Sequence, residues 1–423
     1  MAGLLYPAYQ KYYSAIGNLK RFRIENNFFD NISSLDNFFS EYRSVTLVMQ
    51  KSLAHTPYIE AYNRISDGIW DSFFNDQRVK AVHMHPVEFT KKIDITVYSP
   101  NIGVTISSQS VTVENDIPLN SVVDSLKDFF HTLNTIEVFF SAKFSFIEKD
   151  TGIDLWDKLI EGLDTMQKFM DAMYLEIGET CPLCDKLRSE INLEWISEKT
   201  KDLLLVADYA YYPHREEFER AGRIATLLKT RDGSTADRLP LDMFMSHPYL
   251  NDEKSAFNKF VLMHAIIGSS DLMPTIMTIY QDDTYEIETF HADIKTTMYR
   301  KINETAEKIS CNDVREVFVM LTYVSIDYKD DLNNLTSKER LSEANNEYLV
   351  FMKVDCELNE EEYVFDGRYI RQIEYIAHII KNGKQNKFNF GAVNMIPIIE
   401  AFKICKNSGE IDLLVSINNR NIR

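Results

Sequence analysis

A chain of 423 residues is long enough for two domains with separate cores, and 45% hydrophobic against 26% charged residues excludes extensive disorder. No window spans a bilayer, since the most apolar stretch, residues 260–277, is interrupted by His264 and Asp271, and the N-terminus lacks a basic segment followed by an apolar run. The net charge of −18 speaks against a general nucleic-acid-binding surface, but residues 1–92 hold eleven Lys or Arg against nine Asp or Glu, so all of the acidity lies beyond them.

In chain order, residues 6–25 read as a helix with a basic end at Lys20, Arg21 and Arg23. Ser33 and Ser34 offer capping hydroxyls ahead of Leu35, Phe38, Phe39, Tyr42, Val45 and Met49, which fall on one helical stripe that ends before Pro57. A third helix is predicted from Tyr58 into the low 80s, with Ile59, Tyr62, Ile69, Trp70 and Phe73 toward a core and Pro86 as its stop. Over residues 93–114 the period changes. Ile93, Ile95 and Val97, then Val104 and Ile106, then Val111 and Val113 alternate with polar residues, which predicts two or three short antiparallel strands inserted between helices. Helical spacing predicts further helices over 121–146, 152–173 and 192–223.

The turn-forming Asp232-Gly233-Ser234, with Pro240 beyond it, marks the expected boundary. It divides a helical domain at 1–232 from a mixed α/β domain at 233–423. The fold class is therefore α+β, an N-terminal α-helical bundle with a small β-hairpin insertion followed by a mixed α/β C-terminal domain. In that second half, strands are expected at 275–280, 285–289, 317–324, 349–355 and 363–365, and helices over 294–309, 370–381 and 396–403. Five cysteines, an odd number with one close pair, point to a reducing compartment and so to the cytoplasm.

The segment Arg78-Val79-Lys80-Ala81-Val82-His83-Met84-His85-Pro86 lies at the end of the predicted third helix, in the part of the chain that is not acidic. A guanidinium holds a phosphate with a permanently charged fork, and an imidazole exchanges protons near neutral pH. Together they suffice to cut RNA without a metal: a histidine takes the proton of a ribose 2′-hydroxyl, which attacks the adjacent phosphorus while Arg78 neutralises the added charge. On an unbroken helix, positions five apart are offset by about 140° and positions seven apart by about 20°, so Arg78 shares a face with His85. An extended tail before Pro86 would instead turn His83 and His85 to the same side, and both remain candidates. Cationic side chains also suit a helix C-terminus without any chemistry.

An Arg followed by four to six residues and a His, on a helical bundle, resembles the HEPN superfamily of ribonucleases found in toxin–antitoxin, abortive-infection and CRISPR-associated proteins. The resemblance covers residues 1–230 in outline and rests on Arg78…His83 or Arg78…His85, with Val79 where that family usually has a polar residue. It implies an endoribonuclease effector of a bacterial anti-phage or toxin-type defence system. It further implies a homodimer that brings two such motifs face to face, an RNA substrate and no cofactor. The acidic C-terminal half would then sense a trigger or bind an antitoxin.

Other constellations are weaker. Cys181-Pro182-Leu183-Cys184 is half of a zinc site, but Cys311, Cys356 and Cys405 stand alone, so two reduced thiols are the simpler expectation. Asp282, Asp283, Glu286, Glu288, His291, Asp293 and Lys295 could echo a Mg²⁺-dependent nuclease core, or form the solvated face of a hairpin. Arg371…His378 repeats the Arg–His spacing on a predicted amphipathic helix, with the histidine expected to be packed. No P-loop, GxGxxG, HExxH or GxSxG occurs, so nucleotide hydrolysis, dinucleotide binding, zincin proteolysis and α/β-hydrolase chemistry have no support. A non-catalytic dimeric interaction or sensor protein is the rival from another class.

Overall fold

In the computed structural model, the apolar stripes of the first segment become helices much as their spacing requires. The structure describes residues 3–24, 26–67, 69, 72–113, 117, 119–133, 135–178, 180–194, 204–222, 226–235, 247–251, 253–267, 273–309, 313–326, 334–382 and 394–408. Helix α1 (Tyr6–Leu19) stops short of the expected end, so Lys20, Arg21 and Arg23 lie in the connection to α2 (Phe28–Leu53). All six residues of the predicted α2 stripe are buried. Its cap is Asn27 rather than Ser33 or Ser34: the Asn27 side-chain oxygen accepts the Asp30 N–H at 2.9 Å. Ser34 lies a turn inside the helix, where its hydroxyl donates back to the Asp30 carbonyl at 2.8 Å.

The single third helix is in fact two, α3 (Ile59–Ser66) and α4 (Ser72–His83). Asp67 leaves the helical region at φ −66°, ψ 121°, where the sequence continues with Gly68. Trp70, expected on the core face here, lies outside the described residues.

The expected hairpin is present as β1 (Phe89–Tyr98) and β2 (Thr105–Val113), but it is not a self-contained insertion. After α5 (Leu119–Asp124) and α6 (Lys127–Thr132) comes β3 (Val138–Glu148), and after α7 (Leu155–Ile177) and α8 (Pro182–Glu194) come β4 (Val206–Tyr212) and β5 (Glu217–Arg220). These make a five-stranded sheet in the order β2–β1–β3–β4–β5. Strands β3 and β4 stand where helices were expected over 121–146 and 192–223. Every β4 residue and the first five of β3 are buried, so there the polar–apolar alternation of a half-exposed strand is missing; it shows only in the second half of β3, where Lys143 is exposed and Ser145 part-buried between Ala142, Phe144 and Phe146.

Two compact units emerge. The first comprises Met1–Ile93, Ser110–Ser125 and Lys143–Val206, and the second Asp94–Gln109, Leu126–Ala142 and Ala207–Arg423. In the first, α7 starts on the Asp154 carboxylate, which accepts the Trp156 N–H at 2.9 Å, and ends at Gly178 in the left-handed conformation. Its Gly162 and Leu163 carbonyls accept the buried hydroxyls of Tyr42 (2.7 Å) and Tyr12 (3.1 Å), tying α2 and α1 to it. Phe22 packs edge-on against Phe146, with ring centroids 4.4 Å apart.

The second unit is built on a six-stranded sheet, β6 (Thr226–Thr235), β7 (Thr275–Tyr280), β8 (Thr284–Phe290), β9 (Val314–Ser325), β10 (Asn346–Asp355) and β11 (Glu360–Asp366), in the order β11–β10–β9–β7–β8–β6. Every neighbouring pair is antiparallel. The remaining helices are α9 (Pro248–Asn251), α10 (Ala256–Ile267), α11 (Lys295–Ile309), α12 (Ser337–Ser342), α13 (Ile373–Asn382) and α14 (Ile396–Ser408).

Alternation along the strands separates two cores. Phe318, Met320, Leu349 and Phe351 face α10 and α13, while Val317, Val319, Leu321, Val350 and Met352 face α11 and α14. The strands and helices expected after residue 270 are found with small shifts at their ends, and the α+β class holds. Asp232-Gly233-Ser234 lies inside edge strand β6, and Pro240 lies outside the described residues. Among the described residues no helix is long and apolar enough to cross a membrane.

Candidate active site

Helix α4 is anchored on two sides. Phe74 stacks on Tyr42 with centroids 4.6 Å apart and lies 6.0 Å from Phe39, so one side is pressed onto α2. On the other side the buried Gln77 donates its amide N–H to Glu148 at 3.0 Å, and Lys80 donates to the same carboxylate oxygen at 3.3 Å and also reaches Asp150. Two N–H and O–H donors from Thr151, at 2.7 and 2.8 Å, complete the shell around Glu148. Its carboxyl stays below the usual range: burial, the largest single influence, pushes upward, and the donors of Thr151, Gln77 and Lys80 together outweigh it.

Arg78 projects from the middle of this clamped helix and is half-buried. Among the described residues no carboxylate pairs with its guanidinium. It lies close enough to Arg43 of α2 that its charge, after burial, helps to hold Arg43 below the usual arginine value. Arg43 itself donates to the Thr46 hydroxyl at 2.7 Å, and two like charges brought together in this way favour an anion. Arg43 was not anticipated, because 35 positions of sequence separate it from Arg78 and only the packing of α2 on α4 joins them.

The two histidines part ways. His83 is the last residue of α4, exposed, and by its offset turned away from Arg78. The extended tail considered before Pro86 is not present from residue 83: the N–H groups of Met84 and His85 both donate to the Lys80 carbonyl, at 2.9 and 3.0 Å, and draw His85 over the helix end. His85 is exposed, and its Nδ1 lies 2.9 Å from the Pro86 carbonyl. A carbonyl can only accept, so Nδ1 is the donor in this contact and Nε2 is the ring nitrogen left for proton exchange. No hydrogen bond joins Arg78 to either histidine among the described residues. A depression of about 490 Å³ beside α4, lined by Gln77, Lys80, Met84, Thr151, Ile153 and Lys158 among others, includes none of the three.

The other candidates are placed as follows. Cys181 and Cys184 are buried at the start of α8, with the Cys181 carbonyl accepting the Asp185 N–H. The Cys184 N–H holds the Cys181 thiol below its usual value against the effect of burial. Among the described residues no three His, Cys, Asp or Glu side chains converge to hold a metal ion, so the second half of a zinc site is not found there.

The carboxylates of the acidic cluster are each committed elsewhere. Glu286 accepts from Lys308 at 2.7 Å and Tyr280 at 3.0 Å, Glu288 from Lys301 at 2.6 Å, and Asp282 from the Thr284 backbone and hydroxyl. Asp283 meets Arg315, and Asp293 accepts the Gly222 N–H at 2.7 Å. Lys295 lies over the Phe139 ring at 5.8 Å, and His291 is partly buried. Glu286 and Glu288 point from β8 toward α11, whereas Asp282 and Asp283 sit in the preceding turn, so the Mg²⁺-binding arrangement is not formed. Arg371 and His378 are both exposed, the imidazole meeting Asn382 rather than a packed core.

In comparisons with known proteins, no family model matches the chain, and neither a curated protein nor a solved structure matches it.

Proposed function

We propose that Arg78 and His85 form a metal-independent site for cleaving RNA, and that the chain acts as a dimeric endoribonuclease effector in anti-phage or toxin-type defence. The observation that carries this reading is the placement of the His85 ring: exposed, with Nδ1 committed to a backbone carbonyl and Nε2 left for proton exchange. An uncompensated guanidinium seven residues earlier supports it, as does the location of both residues in the non-acidic part of the chain.

In this mechanism the phosphodiester is drawn to Arg78, with Arg43 adding to the field. His85 Nε2 removes the 2′-hydroxyl proton, the 2′-oxygen attacks phosphorus, and the bond from phosphorus to the 5′-oxygen breaks. The departing oxygen takes a proton from the protonated histidine of a second copy, which leaves a 2′,3′-cyclic phosphate and a 5′-hydroxyl.

The test is cleavage of a labelled RNA oligonucleotide in EDTA with end-group analysis. Cyclic phosphate ends are expected, with the rate falling at least about a hundredfold in Arg78→Ala and in His85→Ala, and tenfold or less in His83→Ala. Intact RNA after incubation with the folded protein, or equal loss with His83→Ala, rejects the assignment.

A further inference from the structure

The connection between α1 and α2 frames a cleft of about 410 Å³, within the range of about 300–1,000 Å³ usual for small-molecule sites. It belongs to neither Arg78 nor the histidines. Its walls are Asn18, Arg21, Arg23 and Asn26 on one side and Asp30, Ser33, Ser34 and Asn37, all on the first turns of α2, on the other.

The loop that carries the arginines is pinned. Asn31, fully buried, accepts the Arg23 N–H at 3.0 Å and donates to the Arg23 carbonyl at 2.8 Å, and the Asn26 amide donates to the Arg21 carbonyl. Arg23 Nε donates to the Lys20 carbonyl at 3.0 Å, which orients the stem and leaves its outer N–H groups unused by that bond. Neither guanidinium forms an ion pair with Asp30 or with any other carboxylate among the described residues, although Asp30 lines the same cleft. The only donor that reaches the Asp30 carboxylate among these residues is the Asn27 amide, at 2.7 Å from Oδ2. Among the described residues, two cations and one anion thus share the cleft without pairing with each other.

We infer that this cleft binds a small phosphorylated sugar, its phosphate on Arg21 and Arg23 and its hydroxyls on Asp30, Ser33 and Asn37. A guanidinium pair suits a phosphate dianion, and a carboxylate with an accepting oxygen to spare suits a hydroxyl donor. A bare anion would meet Asp30 as a repulsion, which disfavours simple phosphate. Among the described residues no aromatic or aliphatic side chain lines the cleft, which leaves none of them to stack a nucleobase. The site is independent of the proposed nuclease.

Calorimetric titration of the full chain with ribose 5-phosphate, inorganic phosphate and ribose tests the inference. Ribose 5-phosphate is expected to bind at least tenfold more tightly than either fragment. The double substitution Arg21→Ala, Arg23→Ala should weaken it at least tenfold, while Arg64→Ala, which removes one arginine charge outside the cleft, leaves it unaltered. Asp30→Asn should weaken ribose 5-phosphate several-fold without weakening inorganic phosphate. Thermal unfolding of each variant checks that the fold is retained. Equal affinity for ribose 5-phosphate and phosphate, no binding by the folded wild-type chain, or binding untouched by the double substitution overturns the inference.

Discussion

Gly162 shows how one missing methyl can position a candidate site. A Cβ built there would lie 2.1 Å from Cζ of Phe74, the ring that presses α4 onto α2. Gly162→Ala is therefore expected to push that ring off Tyr42 and to cost about 1–3 kcal/mol in urea unfolding. RNA cleavage, if it depends on the seating of α4, should fall with it. A variant as stable as the wild-type chain would show that the ring moves aside freely. The sequence offers no hint of this contact, since Gly162 and Phe74 lie 88 positions apart. The contact of His85 Nδ1 with the Pro86 carbonyl is hidden in the same way, because it follows from how the backbone folds back on Lys80 and not from the identity of its neighbours.

At the scale of elements, legibility followed composition and bounding turns. Strands β7 to β11 were readable because β-branched and aromatic residues dominate them and turn formers bound them, whereas β4 and the first half of β3, buried on both faces and containing Ala210 and Ala142, passed for helix. The Arg–His spacing on α4 was legible too; its partner Arg43 and the break at Asp67 were not, since neither changes the helical period nearby.

Helix α10, the most apolar stretch of the chain, carries an acid-sensitive group. His264 is buried between Phe260, 4.6 Å away, and Phe351, 5.4 Å away, and donates Nδ1–H to the Phe260 carbonyl at 2.8 Å. Burial holds its pKa down at about 4, against about 6.5 in the unfolded chain. Above pH 6.5 both states are neutral; as the pH falls the unfolded chain takes up a proton that the folded one refuses. Stability is thus lost from about pH 6.5 down to about pH 4, on the order of 2 kcal/mol by pH 5. His264→Phe should remove that part of the pH dependence in denaturant unfolding at pH 7 and pH 5. An unchanged difference between the two pH values would mean that other groups carry it.

Across the whole molecule, charge is the feature that composition revealed and the structure sharpened. The acids that dominate the chain beyond residue 92 are extensively paired in the second unit, where Lys301, Lys308, Arg315 and Lys353 each meet a glutamate or aspartate. The candidate anion-binding arginines at positions 21, 23 and 78 belong to the first unit and have no such partner among the described residues, and Arg43 lies in the same unit. The chain passes between its two units several times, a pattern that no composition shift along the sequence can report.

The six-stranded sheet has a consequence for how the second unit opens. Strand β9 is paired on both sides, to β10 over ten residue pairs and to β7 as well, and helices cover both its faces, whereas β11 and β6 form the rims. Deuterium should therefore reach the amides of Val317–Leu321 last, by global unfolding, and those of Glu360–Asp366 earlier, through local fraying. Uniform exchange across the sheet would instead mean that its rims and centre melt as one piece.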